Sequence, residues 1–237
     1  MIEKSVLICG RSGTGKSYSL RNLRNPAGVM YLNCEGKSLP FPNKFQKFDV
    51  TEPMQIYEAL TAVNDMNDVH TVVIDSASYL MEMFETQIVN TSSNTQRAWG
   101  DYASFIKDLC LVYLKKCTKN VVILSHVVSV YNSDLLINET RANIKGSVGK
   151  GNGFESYFTN VIYTKIVPVD KLKSNNCLDI TPKDEKKGFK HVFQVEVTKE
   201  TVHESIKVPP GIFDDDVTYI DNDVQIVLDK LEKFYAN

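Results

Sequence analysis

The sequence predicts an α/β fold in which helices flank a mainly parallel sheet. Short apolar runs with strand character alternate along most of the chain with longer segments of helical periodicity, as parallel sheets require. A glycine-rich stretch joins the first apolar run to the segment that follows it, and such stretches mark turns between elements. The 237 residues are 43% hydrophobic and 24% charged, so the chain can bury one sizeable core without disulfides.

The strands are predicted from short apolar runs that end at polar or turn-forming residues. The first run, KSVLIC, stops at glycine, and later runs such as TVVID and NVVIL are rich in β-branched residues, which favour strands. The segment FQKFDV is more polar and is expected at a sheet edge. The predicted strands are residues 4–9, 29–32, 45–50, 71–74, 120–124 and 160–167.

The helices are predicted from their periodicity and their end signals. Asn25 and Pro26 close the first helix, and Pro53 stands in the first turn of the second, a position that proline favours. Phe105, Leu109 and Val112 recur at helical spacing in a long amphipathic segment. The predicted helices are residues 16–23, 53–66, 78–89, 99–116 and 224–235.

Several segments carry loop or hairpin signals. Residues 90–97 are polar, and residues 138–153 are rich in Gly, Asn and Ser, so both are predicted to be loops, the second one flexible. Residues 178–180 and 191–197 are predicted to form an antiparallel hairpin around a charged turn. We expect a single domain over residues 1–237, with a core of about 1–167 and a C-terminal hairpin and helix within about 168–237.

The net charge, the apolar runs and the spacing of the cysteines limit the classes of function that this protein can have. The net charge of −2 gives no global field that would attract nucleic acid or an anionic membrane. No apolar run approaches the roughly 20 residues that span a bilayer, so no membrane role is expected. The five cysteines are scattered without CxxC spacing, which predicts reduced thiols and a cytoplasmic location. Cys110 and Cys117, one heptad apart, are expected in the core.

The glycine-rich stretch matches the phosphate-binding loop G-x-x-x-x-G-K-[ST], or P-loop. Its glycines let successive backbone N–H groups point at one anion, the lysine can reach the β- and γ-phosphates, and the last serine can bind Mg²⁺. A chance match in a glycine-containing turn is the alternative, but the strand before it and the helix after it favour the motif. The expected nucleotide-binding residues are Gly10, Arg11, Ser12, Gly13, Thr14, Gly15, Lys16, Ser17 and Tyr18.

Three polar residues stand where strands end, which is where α/β sheets bind ligands. Asp75 follows TVVI and is expected to hold magnesium with Ser17, although an aspartate there could instead cap a helix. Glu35 could position or activate the attacking water, or could be a solvated loop carboxylate. His126 could sense the γ-phosphate, or could be a polar strand end.

The order of these landmarks resembles the RecA-like ATPase core over residues 1–210. The resemblance rests on GRSGTGKS, YLNCEG, TVVIDS, VILSH and GNGFESYFTNVIYT. The short chain, the histidine at the sensor position and the Trp-Gly pair after a polar loop are similar to phage-encoded RecA-like single-strand annealing ATPases. The resemblance implies ATP and Mg²⁺ as cofactors, an extra strand between the P-loop strand and the Asp75 strand, and catalysis by Lys16, Glu35, Asp75 and His126.

The resemblance also implies partners. Single-stranded DNA would contact residues 90–100 and 138–153, the second through Arg141, Lys145 and Lys150. A homo-oligomer is expected, in which Lys199 would complete a neighbour's site, and a single-strand DNA-binding protein is a further expected partner. A phage-encoded protein of this kind would act in the host bacterial cytoplasm. The family's sensor is commonly Gln, so His126 is a departure.

Three functions therefore stay open at this point. The first is an ATPase that DNA stimulates and that acts in recombination or strand annealing. The second is a P-loop ATPase that serves as a switch or assembly factor with a protein partner and has no DNA role. The third is a nucleotide-binding module that hydrolyses little. The aromatic residues Phe154, Tyr157 and Phe158 are expected to pack in the core rather than to contact DNA.

Overall fold

An eight-stranded sheet forms the centre of the protein, whose computed structural model describes residues 5–133, 136–150, 153–172 and 178–236. A separate two-stranded hairpin lies beside it. In chain order the strands are β1 (Ser5–Cys9), β2 (Val29–Asn33), β3 (Gln46–Asp49), β4 (Thr71–Asp75), β5 (Asn120–Ser125), β6 (Val127–Asn132), β7 (Ile137–Ala142), β8 (Asn160–Pro168), β9 (Phe189–Gln194) and β10 (Tyr219–Asp221).

The strand order across the sheet is β10-β9-β8-β1-β5-β4-β2-β3. The strands from β8 to β3 are parallel, whereas β9 and β10 are added antiparallel. The predicted α/β fold is confirmed, as are the edge position of β3 and the presence of β5 between β1 and β4. The register pairs Cys9 with Ser125 and Asn33 with Asp75, so the carboxyl ends of these strands meet at one edge.

The helices cover both faces of the sheet. They are α1 (Gln55–Ala62), α2 (Ala77–Phe84), α3 (Thr95–Asp108), α4 (Leu114–Lys116), α5 (Gly146–Lys150), α6 (Pro182–Lys187) and α7 (Val224–Tyr235). Short π-helical turns at Glu85–Val89 and Leu109–Tyr113 extend α2 and α3. In the part of the chain that is described, no helix is long and apolar enough to cross a bilayer.

Alternate residues of each central strand enter two separate cores. Leu7 and Cys9 pack on one face with side chains of α1, α2 and α3, whereas Val6 and Ile8 pack on the other with α7 and the segment after the P-loop. A strand buried on both faces has to be apolar throughout, which explains the continuous apolar runs. Cys110 and Cys117 are buried in the first core, as are Phe154 and Phe158, so these core predictions are confirmed.

Two helix predictions need correction at their starts. The segment after the P-loop is a 3₁₀ helix over Ser17–Asn22 rather than an α-helix. The hydroxyl of Ser19 donates to the carbonyl of Lys16, and such local bonds compete with regular α-helical pairing. Residues 90–97 are not wholly a loop, because α3 begins at Thr95. The side chain of Asn94 accepts the backbone N–H of Arg97 at 3.0 Å and caps this helix.

The prediction of a flexible loop over residues 138–153 is wrong for its described part. Ile137–Ala142 pairs antiparallel with Val127–Asn132, and Gly146–Lys150 is helical. The hairpin predicted at residues 178–180 and 191–197 is also wrong in its pairing, because the long strand β8 is the partner of β9. Composition indicated flexibility and a turn at these places, but the first segment pairs with the preceding strand β6, and β9 pairs with β8 instead of with residues 178–180. Cys177 lies outside the described residues.

Candidate active site

The P-loop follows the end of β1 and continues into the 3₁₀ helix. Gly13 and Gly15 have φ angles of +79° and +103°, which side chains disfavour. A Cβ atom on Gly15 would lie 3.1 Å from the Asn222 side chain, whereas one on Gly13 would meet nothing within 4 Å. The backbone N–H of Gly10 is bonded to the carbonyl of Ser125 at 3.1 Å, which fixes the loop to β5. The loop thus leaves an open cradle at Gly13.

Lys16 lies at the centre of this loop with only 6% of its surface exposed. Its ammonium donates to the carbonyls of Gly10 and Arg11, each at 3.0 Å, and lies 3.4 Å from Nδ1 of His126. Burial holds the pKa of Lys16 below its ordinary value, and the charges of Asp75 and Glu35 offset part of this shift. The position is that of a cation ready to bind the terminal phosphates of a nucleotide.

Asp75 ends β4 directly beside the P-loop. Its Oδ2 accepts hydrogen bonds from Ser17 Oγ and from the Tyr31 hydroxyl, both at 2.9 Å. Its Oδ1 is buried and has no hydrogen-bond partner among the described residues. This orphaned oxygen, together with the hydroxyl of Ser17, fits the oxygen ligands that Mg²⁺ prefers. Helix α2 begins at Ala77 with Ser76 at its N-cap position, so Asp75 is not the capping residue.

Glu35 lies two residues after β2 and faces His126. Its Oε1 is 3.1 Å from Nε2 of His126 and 3.1 Å from the Ser76 hydroxyl, and Lys37 lies 3.4 Å from its other oxygen. Burial alone would raise the pKa of Glu35, but the hydrogen bond from His126, the charge of Lys37 and the hydrogen bond from Ser76 lower it below its ordinary value. Glu35 is therefore a carboxylate near neutral pH and not a freely solvated loop residue.

His126 connects Glu35 with Lys16. Because an ammonium can only donate, Nδ1 accepts from Lys16 and the proton on Nε2 is donated to Glu35. The backbone N–H of His126 donates to the Ser78 hydroxyl at 3.0 Å, and the Tyr79 ring meets the imidazole edge-on with 5.8 Å between centroids. Helix α2 therefore holds the imidazole between the base candidate and the P-loop lysine.

The four residues predicted to be catalytic line or adjoin one cleft of 640 Å³ above the carboxyl edge of the sheet. Lys16, Glu35 and His126 are in its wall, and Asp75 is bonded to the wall residue Ser17. Tyr18 also lines the cleft, is 48% exposed and stacks with Arg21 at 4.6 Å. The full lining is Ser12, Gly13, Gly15, Lys16, Ser17, Tyr18, Glu35, Lys37, Pro40, His126, Lys183, Lys187 and His191.

The residues predicted to bind DNA lie away from this cleft and are partly engaged. Arg141 is ion-paired with Glu139 and donates to the carbonyl of Gly149 at 2.7 Å. Lys145 pairs with Glu85 at 2.7 Å, although 60% of the Lys145 side chain is exposed. The Lys150 side chain lies outside the described part of the chain. Their contact with DNA stays a prediction.

Lys199, predicted to act on a neighbouring subunit, is exposed. It stands in a turn closed by the bond from the Thr201 N–H to the Thr198 carbonyl. The structure describes a single chain, so its action in trans also stays a prediction.

Sequence reasoning missed several residues that shape the site. Tyr31 and Ser76 bond the two carboxylates, and Ser78 positions the backbone of His126. His191 lies 2.9 Å from the carbonyl of Thr14. Tyr31 lies on the strand that leads to Glu35, and Ser76 directly follows Asp75. This closeness in sequence to the predicted site residues could have indicated that both belong to the site. His191 is far from the P-loop in sequence and carried none.

Replacement of Lys16 by Ala is expected to weaken ATP binding at least tenfold. The substitution removes charge-assisted hydrogen bonds to phosphate, each worth about 1.5–3 kcal/mol. Titration calorimetry with Mg²⁺ and ATP measures the effect, and Lys107→Ala, at an exposed position on α3, is the control. Unchanged affinity in Lys16→Ala would refute the assignment of the P-loop.

Replacement of Asp75 by Asn is expected to abolish metal binding without lowering the stability of the fold. Burial, followed by the charge of Glu35, raises the pKa of Asp75. An acid whose folded-state pKa is raised makes the fold less stable as the pH rises through its unfolded-state pKa. Without metal at pH 8, Asp75→Asn should therefore melt at the same temperature as the parent or higher, while Mg²⁺-dependent ATP binding is lost.

Calorimetric melting with and without Mg²⁺ tests this expectation, with Asp101→Asn on the exposed side of α3 as the control. A large drop in melting temperature with retained Mg²⁺ dependence would contradict it.

Comparison with protein families agrees with this geometry. A family model described as an AAA domain matches residues 2–202, a range that contains the P-loop, Glu35, Asp75 and His126. A search of curated proteins found no significant match. The matched range, the parallel sheet and the phosphate-binding loop lead to one conclusion: the chain belongs to this AAA domain family of P-loop ATPases and has an α/β P-loop fold that binds ATP.

Proposed function

We propose that the protein hydrolyses ATP to ADP and phosphate, with Glu35 as the residue that orients and activates the attacking water. The observation that carries this proposal is the chain of contacts from Glu35 through His126 to Lys16, with both linking distances at or below 3.4 Å. A carboxylate that is only solvated would not form such a chain of contacts. Glu35 lines the same cleft as Gly13 and Lys16, a position that fits contact with a water facing the γ-phosphate.

Each residue then has a separate task. Lys16 and the P-loop N–H groups neutralise and orient the phosphates, which is the main source of catalysis in phosphoryl transfer. Bound Mg²⁺, held through Ser17 and Asp75, would supply further charge neutralisation. His126 shares its two ring nitrogens between Glu35 and Lys16. Movement of Lys16 toward phosphate would break one of these contacts, so His126 can respond to the γ-phosphate.

The variant Glu35→Gln is expected to bind ATP normally and to hydrolyse it 10²–10⁴-fold more slowly, about the usual contribution of proton transfer. Gln keeps the size of the side chain and can still accept from Ser76, so the cleft should persist. Phosphate release under single-turnover conditions is the measurement, and Glu58→Gln on the exposed face of α1 is the control. Wild-type turnover in Glu35→Gln would return this residue to a structural role.

We also propose that single-stranded DNA is the partner that this ATPase acts on, in recombination or strand annealing and as a homo-oligomer. The support is the position of the β6–β7 hairpin. Its first residue, Val127, follows His126 directly, so a response of His126 to phosphate would reach the hairpin. Tyr131 on this hairpin is 60% exposed, and exposed aromatic rings stack on bases at roughly 1–3 kcal/mol each.

A protein partner is the second candidate, favoured by a different observation. Val128 and Val130 are each 37% exposed on the same strand and Leu136 is 74% exposed, which gives the hairpin an apolar surface. Apolar surface of this kind suits a protein better than a phosphate chain. The first candidate therefore predicts that DNA changes ATP turnover, and the second predicts that DNA has no effect on it.

Single-stranded DNA is expected to increase ATP turnover, and Tyr131→Ala and Lys145→Ala are each expected to reduce that increase. Arg141 is a poorer choice for this test, because it is ion-paired with Glu139 within the hairpin and joins the hairpin to Gly149 of α5. DNA affinity should fall with salt, by a log–log slope of about −0.7 per phosphate contact. Phe48→Ala on the edge strand β3, 47% exposed, is the aromatic control. Absence of any DNA effect would favour the protein partner.

A further inference from the structure

Helix α6 covers the open side of the nucleotide cleft. Lys183 and Lys187 lie one helical turn apart on it, so they share a face. Both line the same cleft as Gly13, Lys16 and Ser17. In the described part of the chain neither lysine forms an ion pair with an acidic residue. Two cations without an acidic partner among the described residues therefore line the cleft of the phosphate-binding loop, and the ammonium of Lys187 also lies 5.8 Å from the centre of the Phe189 ring.

The position of α6 is built by specific contacts. Thr181 and Asp184 form a capping box at its start, and Gly188, with a φ angle of +77°, ends it. Lys190 then binds Asp221 at 2.9 Å. Three residues later than Gly188, the ring of His191 is 2.9 Å from the Thr14 carbonyl of the P-loop. Lys190 also lies 3.4 Å from Asp184, so α6 is joined to the P-loop through the start of β9, which carries both Lys190 and His191.

Packing explains neither lysine, and helix stability does not explain Lys183. No residue of α6 is buried, so the helix contributes nothing to a core. A cation near the helix C-terminus is favourable, which accounts for Lys186 and Lys187 equally. Lys183, in contrast, lies in the first turn, where a cation is unfavourable. Lys183 and Lys187 also form a like-charge pair at i and i+4, which costs a few tenths of a kcal/mol.

The cleft offers an anion as the natural counterpart of these lysines. Its acidic wall residue, Glu35, is already paired with His126 and with Lys37. The P-loop on the opposite side presents Lys16 and backbone N–H groups that suit phosphate. We propose that Lys183 and Lys187 bind the polyphosphate of the nucleotide in cis and that α6 is a cationic lid of the ATP site. The proposal rests on the proposed function and adds two binding residues to it.

The test is calorimetric titration of Mg²⁺ and ATP into the full chain and into Lys183→Ala/Lys187→Ala. Loss of two charge-assisted contacts should weaken binding about tenfold or more, and the loss should shrink as salt is added. Lys186→Ala is the matched control, because Lys186 is an exposed lysine of the same helix that does not line the cleft. It should change affinity by about twofold or less. The variant Lys183→Arg/Lys187→Arg should retain binding.

The outcomes are distinguishable. If the parent binds ATP, Lys16→Ala loses it and the double alanine variant binds like the parent, the lid proposal is overturned and the proposed function stands. An equal loss in Lys186→Ala would also overturn the lid, because a general field and not two contacts would be responsible. If the double arginine variant, with an unchanged melting temperature, bound as weakly as the alanine variant, the cationic contact would be refuted. A parent that binds no ATP would overturn both proposals.

Discussion

A buried ammonium at Lys16 is the feature on which the rest of the site depends. A cation removed from water must be compensated by hydrogen bonds and opposite charge, because its desolvation is costly. The ammonium donates hydrogen bonds to the carbonyls of Gly10 and Arg11. It also lies 3.4 Å from Nδ1 of His126. The charges of Asp75 and Glu35 raise its lowered pKa. These partners come from the ends of four strands, β1, β2, β4 and β5, so the sheet register brings together the groups that compensate the buried cation.

The pKa values of the two carboxylates that compensate Lys16 are shifted in opposite directions. Asp75 is deeper and its pKa is raised by burial, whereas that of Glu35 is lowered by its hydrogen-bonded neighbours. The Oδ1 atom of Asp75 is buried without a hydrogen-bond partner among the described residues, and a divalent cation would fit this oxygen. Glu35 is already stabilised as an anion and can face a water. These two environments support the proposed roles of Asp75 as a metal ligand and of Glu35 as the residue that orients water.

The surroundings of the cleft differ in how firmly they are held. The inner wall consists of strand ends within an eight-stranded sheet that is buried on both faces. The outer side is the short helix α6, which has no buried residue, and the β6–β7 hairpin forms a sheet of its own. Elements with few buried contacts open at lower free energy than a core. The two elements proposed to contact nucleotide and partner are therefore the ones that can move without unfolding the sheet.

The sequence by itself determined the α/β class, the P-loop and the strand-end residues Asp75, Glu35 and His126, because glycine spacing and apolar runs are local signals. It did not determine that residues 137–142 form a strand or that α6 covers the cleft. Composition indicated a loop at the first place and a charged turn at the second. Residues 137–142 became a strand by pairing with β6, and the position of α6 depends on the start of β9, where Lys190 and His191 contact Asp221 and Thr14. The contacts of β9 join residues far apart in the chain, so no local pattern encodes them, and in the hairpin the pairing of two strands outweighed the composition of one.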